Sequence, residues 1–334
     1  MFELIKKLTE AWGPSGYEHQ VRALIKEEVS DLADEIHVDG MGNLICRVGE
    51  KGQGKKVMIA AHMDEIGVMA TYAEPESKYL RFSNIGGLLY MSMHGNRVKF
   101  EDGTIGVISV HDSFGKGRSS ASSTDDFYID VQDETGEMTV EAGSPAGFWR
   151  ETQQRGNRVI AKSLDDRIGC VVAIEAMRKV KETGTPNELY FAFTTQEEVG
   201  LRGAKTAAYG IDPDVGIALD VTSTGDEIKG RKMAVKLGGG AAIKVIDTSL
   251  IVPKPIVDWM VNRAEADNLD YQLELLTGGG TDAGAIQSTH SGVPSGCISI
   301  PTRFLHTTSE TVDLSDVQAC IDLLSGLLGN EISL

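Results

Sequence analysis

The sequence predicts an α/β protein in which a mixed sheet is sandwiched by helices and interrupted by a small inserted β-barrel. Three observations predict it. Residues 57–61 (Val-Met-Ile-Ala-Ala), 189–193 (Leu-Tyr-Phe-Ala-Phe), 215–219 (Val-Gly-Ile-Ala-Leu) and 293–300 are short apolar runs, the pattern of strands buried on both faces. Around them lie segments with apolar residues at helical spacing, at 1–12, 17–29, 168–180, 251–268 and 316–328. From 66 to 154 the texture becomes short runs alternating apolar and polar residues between Gly, Asp and Ser turns, as antiparallel β-structure does. The 334 residues therefore divide into a discontinuous main unit, 1–65 with 155–334, and an inserted β-rich unit, 66–154.

Composition narrows the function classes. A hydrophobic content of 41% and a charged content of 24% are those of a globular protein. The net charge of −17 opposes binding to nucleic acid or to an anionic membrane, both of which need a basic face. No apolar run approaches the roughly 18 residues of a membrane span. The four cysteines are scattered and form no CxxC pair, so reduced thiols in a cytoplasmic protein are expected, not a disulfide frame or a zinc ribbon. The first residues interleave charges with apolar side chains and lack the apolar core of a signal peptide.

In chain order, residues 1–12 form an amphipathic helix stopped at Gly13-Pro14, and a second helix buries Val21, Leu24, Ile25 and Val29. A turn at 38–43 joins two short strands, the second at 44–48. The run 57–61 then delivers His62-Met63-Asp64, where the acid can hold one ring nitrogen of the imidazole and leave the other for a metal. A surface His-x-Asp turn would look the same. In the insert, strands are expected at 79–82, 97–100, 104–110, 127–131 and 138–140, with a Ser/Gly-rich loop at 113–126. Gly115-Lys116-Gly117 lacks the spacing of a phosphate-binding loop, and His94 and His111 are read as surface residues, not ligands.

Asp165-Asp166 opens the helix at 168–180, where one acid serves as a cap and the other is free for a metal. The run 189–193 breaks into Thr194-Thr195-Gln196-Glu197-Glu198, two adjacent acids that leave the backbone in different directions, one to bind and one to move a proton. The run 215–219 ends at Asp220, and the run 293–300 leads to His306. The glycine run 278–284 permits close backbone approach to a ligand, and Gly280, Thr281 and Asp282 are placed against the substrate. Parallel strands would bring His62, Glu197, Glu198, Asp220 and His306 to one sheet edge, with Asp165 beside them. Two imidazoles and several carboxylates without a thiolate match a hydrolytic zinc, cobalt or manganese site.

The segments His62-Met-Asp-Glu-Ile-Gly, Ser163-Leu-Asp-Asp-Arg, Gln196-Glu-Glu-Val-Gly-Leu-Arg-Gly-Ala, Ala218-Leu-Asp-Val, Gly279-Gly-Thr-Asp-Ala-Gly and Pro301-Thr-Arg-Phe-Leu-His resemble the M42 family of dinuclear metalloaminopeptidases. The likeness runs from Gly13-Pro-Ser-Gly to the last helix in the family's order. It implies two divalent ions per subunit, zinc or cobalt, with His62 and Asp220 at one, Glu198 and His306 at the other, and Asp165 bridging. Glu197 would be the general base and Asp64 the residue that orients His62. The insert would be a dimerisation domain, with dimers building a dodecamer that admits short peptides.

Phe304 stands where many members of the family carry Tyr. A related dinuclear carboxypeptidase or deacylase shares the same chemical core, and a non-catalytic assembly protein would have no use for Glu197. A glycosidase needs two separated carboxylates without metal, which adjacent Glu197 and Glu198 amid metal ligands do not supply.

Overall fold

A computed structural model describes residues 1–75, 77, 79–111, 121–131 and 140–334. The expected strand positions Met138 and Thr139, Gly115-Lys116-Gly117 and most of the Ser/Gly-rich loop lie outside these residues.

The centre of the main sheet is four parallel strands: β3 (Lys56–His62), β12 (Glu188–Thr194), β13 (Val215–Thr222) and β16 (Ser295–Arg303), in the spatial order β12-β3-β13-β16. They are the four apolar runs of the sequence. Alternation sends Val57, Ile59 and Ala61 of β3 and Leu189, Phe191 and Phe193 of β12 into one core layer. Met58, Ala60 and Ala192 face the other side. The first layer meets helices α1 (Phe2–Thr9), α2 (His19–Val29) and α3 (Leu164–Thr183), together with α5 (Lys254–Ala266) and α7 (Leu314–Leu328). On the second face α4 (Arg202–Ile211) packs through Ala204, Ala207 and Ala208, beside the short α6 (Asp282–Gln287).

Antiparallel strands extend this centre on both sides and make the sheet mixed. β1 (Glu35–Val38) and β2 (Leu44–Val48), the two short strands expected around the turn at 38–43, add beyond β12. Four others carry no strong sequence signal: β10 (Gln153–Arg155), β11 (Arg158–Ala161), β14 (Ala241–Ile246) and β17 (Glu310–Asp313). Of these, β17 pairs with β16 and β11, which brings the end of the chain back against the start of α3. The expected strand at 271–276 is β15 (Tyr271–Leu275), paired with β14.

The inserted strands β4 (Gly67–Ala73), β5 (Leu80–Ile85), β6 (Arg97–Phe100), β7 (Ile105–Val110), β8 (Phe127–Asp130) and β9 (Pro145–Phe148) close a barrel in the order β4-β5-β8-β7-β6-β9. Its interior is a separate apolar cluster that includes Val68, Phe82, Val98, Ile108 and Ile129. β9 breaks the alternating pattern, because all four of its residues are buried. Closure leaves the barrel no exposed sheet edge. All four cysteines are free and buried, and no described helix is long and apolar enough to cross a membrane.

Candidate metal centre and active site

The four central strands run the same way, so their C-terminal ends share one edge of the sheet. His62 is the last residue of β3 and pairs with Thr194, the last residue of β12. Glu197 and Glu198 follow in the loop beyond β12. Asp220 lies inside β13, two residues before its end, and not at a strand terminus as the apolar run implied. His306 follows β16, and Asp165 opens α3. Asp165, Glu197, Glu198, Asp220 and His306 all line one cleft of about 810 Å³.

Asp165 sits between the two imidazoles. Its Oδ1 is 3.0 Å from Nε2 of His62 and its Oδ2 is 3.3 Å from Nε2 of His306. The same His306 nitrogen is 3.6 Å from Glu198 Oε2, and the His62 nitrogen is 3.9 Å from Glu197 Oε2. Ligand atoms of His62, Asp165 and Glu198 lie within 4.8 Å of one another. Asp166, the neighbour of Asp165, is turned away and caps the helix by accepting from the Gly169 backbone N–H at 3.1 Å. A Cβ on Gly169 would fall 2.3 Å from that carboxylate, so only glycine fits there.

Each imidazole presents Nε2 to the cluster and rests Nδ1 on an oxygen. Nδ1 of His62 is 3.3 Å from the Asp64 carbonyl oxygen and 3.5 Å from its carboxylate. Nδ1 of His306 donates to the Gly87 carbonyl at 2.7 Å, a contact reaching across from the inserted segment. This arrangement fixes the tautomer that leaves Nε2 free for a metal. A Cβ on Gly87 would lie 3.1 Å from His306 Nδ1, so a side chain there would press on the imidazole.

The loop after β12 is held amide by amide. The backbone N–H of Thr195 donates to Asn43 Oδ1 at 2.9 Å, and that of Gln196 to Glu18 Oε1 at 3.1 Å. The N–H of Glu197 donates to Asp64 Oδ1 at 3.0 Å and that of Glu198 to Asp64 Oδ2 at 3.2 Å, while Ser15 Oγ donates to Asp64 at 2.6 Å. One buried carboxylate therefore positions His62 and both glutamates at once. Glu310 does the same on the opposite side, accepting from the backbone N–H of His306 at 2.8 Å and of Asp165 at 3.0 Å. Sequence reasoning missed Glu310, Gly87, Glu18 and Asn43, whose partners, the His306 amide beside Glu310 apart, are remote in the chain.

The charges are out of balance without cations. Burial drives the pKa of Glu197 and Glu198 well above the usual carboxylate range, and neighbouring acids add to the effect. Burial and the Asp165 charge raise Asp220 to about 7 and Glu310 to about 8. Burial opposes the charged form of His306, yet Asp165 and Glu198 hold it up at about 10. Against burial, the two imidazoles keep Asp165 ionised below the ordinary range. Glu198 Oε1 is buried without a hydrogen-bond partner. Surplus buried carboxylates, an orphaned ligand oxygen and two Nε2 atoms turned inward fit divalent cations.

The glycine run divides. Gly280 lines the cleft, whereas Thr281 and Asp282 are buried behind its wall. Thr281 hydrogen-bonds the Asp220 side chain, and Asp282 accepts from Thr194 Oγ1 at 2.5 Å. These two residues face protein and not the open cleft. His94 and His111 are exposed on the inserted segment.

The profile of the M42 glutamyl aminopeptidase family matches residues 42–323. A protein of Acetivibrio thermocellus that carries a provisional aminopeptidase name is 45% identical over 327 residues, 97% of each chain. Lysyl aminopeptidase of Pyrococcus furiosus is 34% identical over 98% of this chain and 96% of its own. The TET1 peptidase of Pyrococcus horikoshii, which can assemble into a tetrahedron or a large octahedral shell, has a similar structure, with a TM-score of 0.86 at 34% identity over 98% of each chain. With its sheet-edge cluster of imidazoles and carboxylates, and with likeness over nearly its whole length, this chain belongs to the M42 family of aminopeptidases and is a hydrolase.

Proposed function

We propose that the protein removes N-terminal residues from short peptides, using two divalent ions, zinc or cobalt, held by His62, Asp165, Glu198, Asp220 and His306. His62 and Asp220 complete one position and Glu198 and His306 the other, with Asp165 common to both. The observation that carries this reading is the Asp165 carboxylate, each oxygen of which faces a different imidazole. Divalent metal use follows from the family, and the donor set of imidazoles and carboxylates without thiolate supports zinc or cobalt. When bound, the ions lower the pKa of a water molecule and polarise the scissile carbonyl.

The chain's own side chains supply the remaining chemistry. Glu197 is the general base: it takes the proton of the attacking water and passes it to the amine that leaves. Without cations, burial and neighbouring acids raise its affinity for protons. Asp64 orients His62 and holds the Glu197 amide, so the base and a metal ligand keep one spacing. Gly280 offers backbone to the substrate in the cleft, where Leu276, Phe304 and Leu305 supply apolar wall.

The inserted barrel is the self-association surface in this reading. Tyr72, Ile105 and Val107 are exposed on it, and the TET1 relative assembles into closed shells. Dimers formed through the barrel build a dodecamer in the cytoplasm whose interior admits short peptides.

The test is hydrolysis of a panel of aminoacyl p-nitroanilides, before and after chelator treatment and re-addition of zinc or cobalt. Cleavage lost with the chelator and restored by metal is the expected result. Cleavage indifferent to the chelator, or absent from the metal-loaded protein for every substrate, would overturn the proposal.

A further inference from the structure

Glu310 opens β17, four residues after His306 and 145 residues after Asp165. Its side chain is buried and forms no ion pair among the described residues. Both carboxylate oxygens are used, one on the backbone N–H of His306 and the other on that of Asp165. The strand that carries it is pinned on two sides. Register pairs Glu310 with Ala161 of β11, the strand leading to Asp165, and pairs Thr311 with Arg303 of β16, the strand leading to His306. Glu310 thus stands where the chain entering one ligand meets the chain leaving the other.

His306 adopts φ +58, in the left-handed region that a non-glycine residue occupies only when its surroundings hold it. The Glu310 hydrogen bond to its amide and the Gly87 carbonyl on its ring supply that hold from two directions. The two N–H donors reach different oxygens of one group, so both of those oxygens must accept. Glutamine offers one acceptor and would turn its NH2 toward the second donor, so a carboxylate is needed for more than its shape.

We propose that Glu310 is a positioning residue for the metal centre, its carboxylate clamping the backbones of Asp165 and His306 so that the shared ligand and the imidazole keep the spacing two ions require. This rests on the dinuclear reading above. The role parallels that of Asp64, which clamps the Glu197 and Glu198 amides, so two buried carboxylates tie the backbones that carry the centre.

The test compares the full-length parent with Glu310→Gln and Glu310→Asp. Zinc affinity is measured by competition with a chromogenic chelator, the visible spectrum is recorded after cobalt substitution, and melting temperatures are taken with and without metal. Glu310→Gln should bind at least one of the two ions about 10- to 100-fold more weakly and show an altered cobalt spectrum. Its loss of melting temperature should be larger in the metal-loaded state. Glu310→Asp keeps both oxygens on a shorter stem and should fall between Gln and the parent. Parent-like affinity and spectrum in Glu310→Gln, or equal loss of melting temperature with and without metal, would show an ordinary structural contact and overturn the proposal. If the Gln variant does not fold, parent-like zinc affinity in Glu310→Asp overturns it instead. A parent protein that binds no metal would sink the dinuclear reading itself, a result recognisable before any variant is made.

Discussion

At the scale of single residues, adjacent acids are separated by direction and partner. Asp165 faces both imidazoles while Asp166 caps α3. Glu198 is 3.6 Å from His306, and Glu197 lies toward His62 at 3.9 Å. Replacing Glu197 by Gln keeps shape and burial but removes the base. Turnover should fall by about 100-fold or more, with bound metal measured by plasma mass spectrometry unchanged. Surviving turnover would remove Glu197 from its role. Asp165→Asn takes away one oxygen that faces an imidazole, so metal content should drop along with activity, and full occupancy in that variant would contradict a shared ligand. The paired acids were legible because Asp165-Asp166 and Glu197-Glu198 stand where strand and helix patterns break. Which member does which job follows from backbone direction, and a one-residue difference in spacing does not encode that.

At the scale of elements, the β12 strand and its following loop show how a rigid core supports a polar edge. Phe191 and Phe193 are fully buried, whereas the four amides from Thr195 to Glu198 are each satisfied by a side chain from elsewhere. Phe193→Ala should cost about 3–5 kcal/mol in denaturant unfolding, from lost burial and the cavity left behind. Asp64→Asn leaves the core intact but offers one acceptor where three donors converge. It should cost about 1–3 kcal/mol and lower metal affinity as well. A variant that loses stability with unchanged metal binding would limit Asp64 to scaffolding. The central strands and the longer helices were readable from apolar runs and helical spacing. The strands β10, β11, β14 and β17 were not, since they are held by their sheet neighbours more than by their own pattern.

At the scale of the whole molecule, charge balance and assembly dominate. Without cations, burial with Asp165 raises Asp220 to about 7, and its acidic neighbours hold His306 at about 10. The folded chain then binds more protons than the unfolded one, between 3.8 and about 7 at Asp220 and between 6.5 and about 10 at His306. Stability therefore falls as pH rises through both windows. Chelated protein should lose melting temperature from about pH 5 to about pH 8, and metal-loaded protein should not, because the ions take the place of those protons. Parallel curves for the two forms would argue against cations at this cluster. Introducing Glu at both Ile105 and Val107 puts charge on the exposed face of β7 and should shift the protein to a smaller species in light scattering. An unchanged mass would place the self-association surface elsewhere.

The sequence by itself determined the class of the fold, the presence of a β-rich insert and the kinds of side chain gathered at the sheet edge. Those properties depend on periodicity and on residue chemistry at the ends of apolar runs, which are local. Only the tertiary structure decided that Asp165 lies between His62 and His306, that Thr281 and Asp282 face protein, and that Glu310 and Gly87 support His306. Those outcomes depend on strand order and on how β17 and the inserted segment return to the sheet edge. Contacts between residues up to 219 positions apart leave no periodic trace in the chain that makes them.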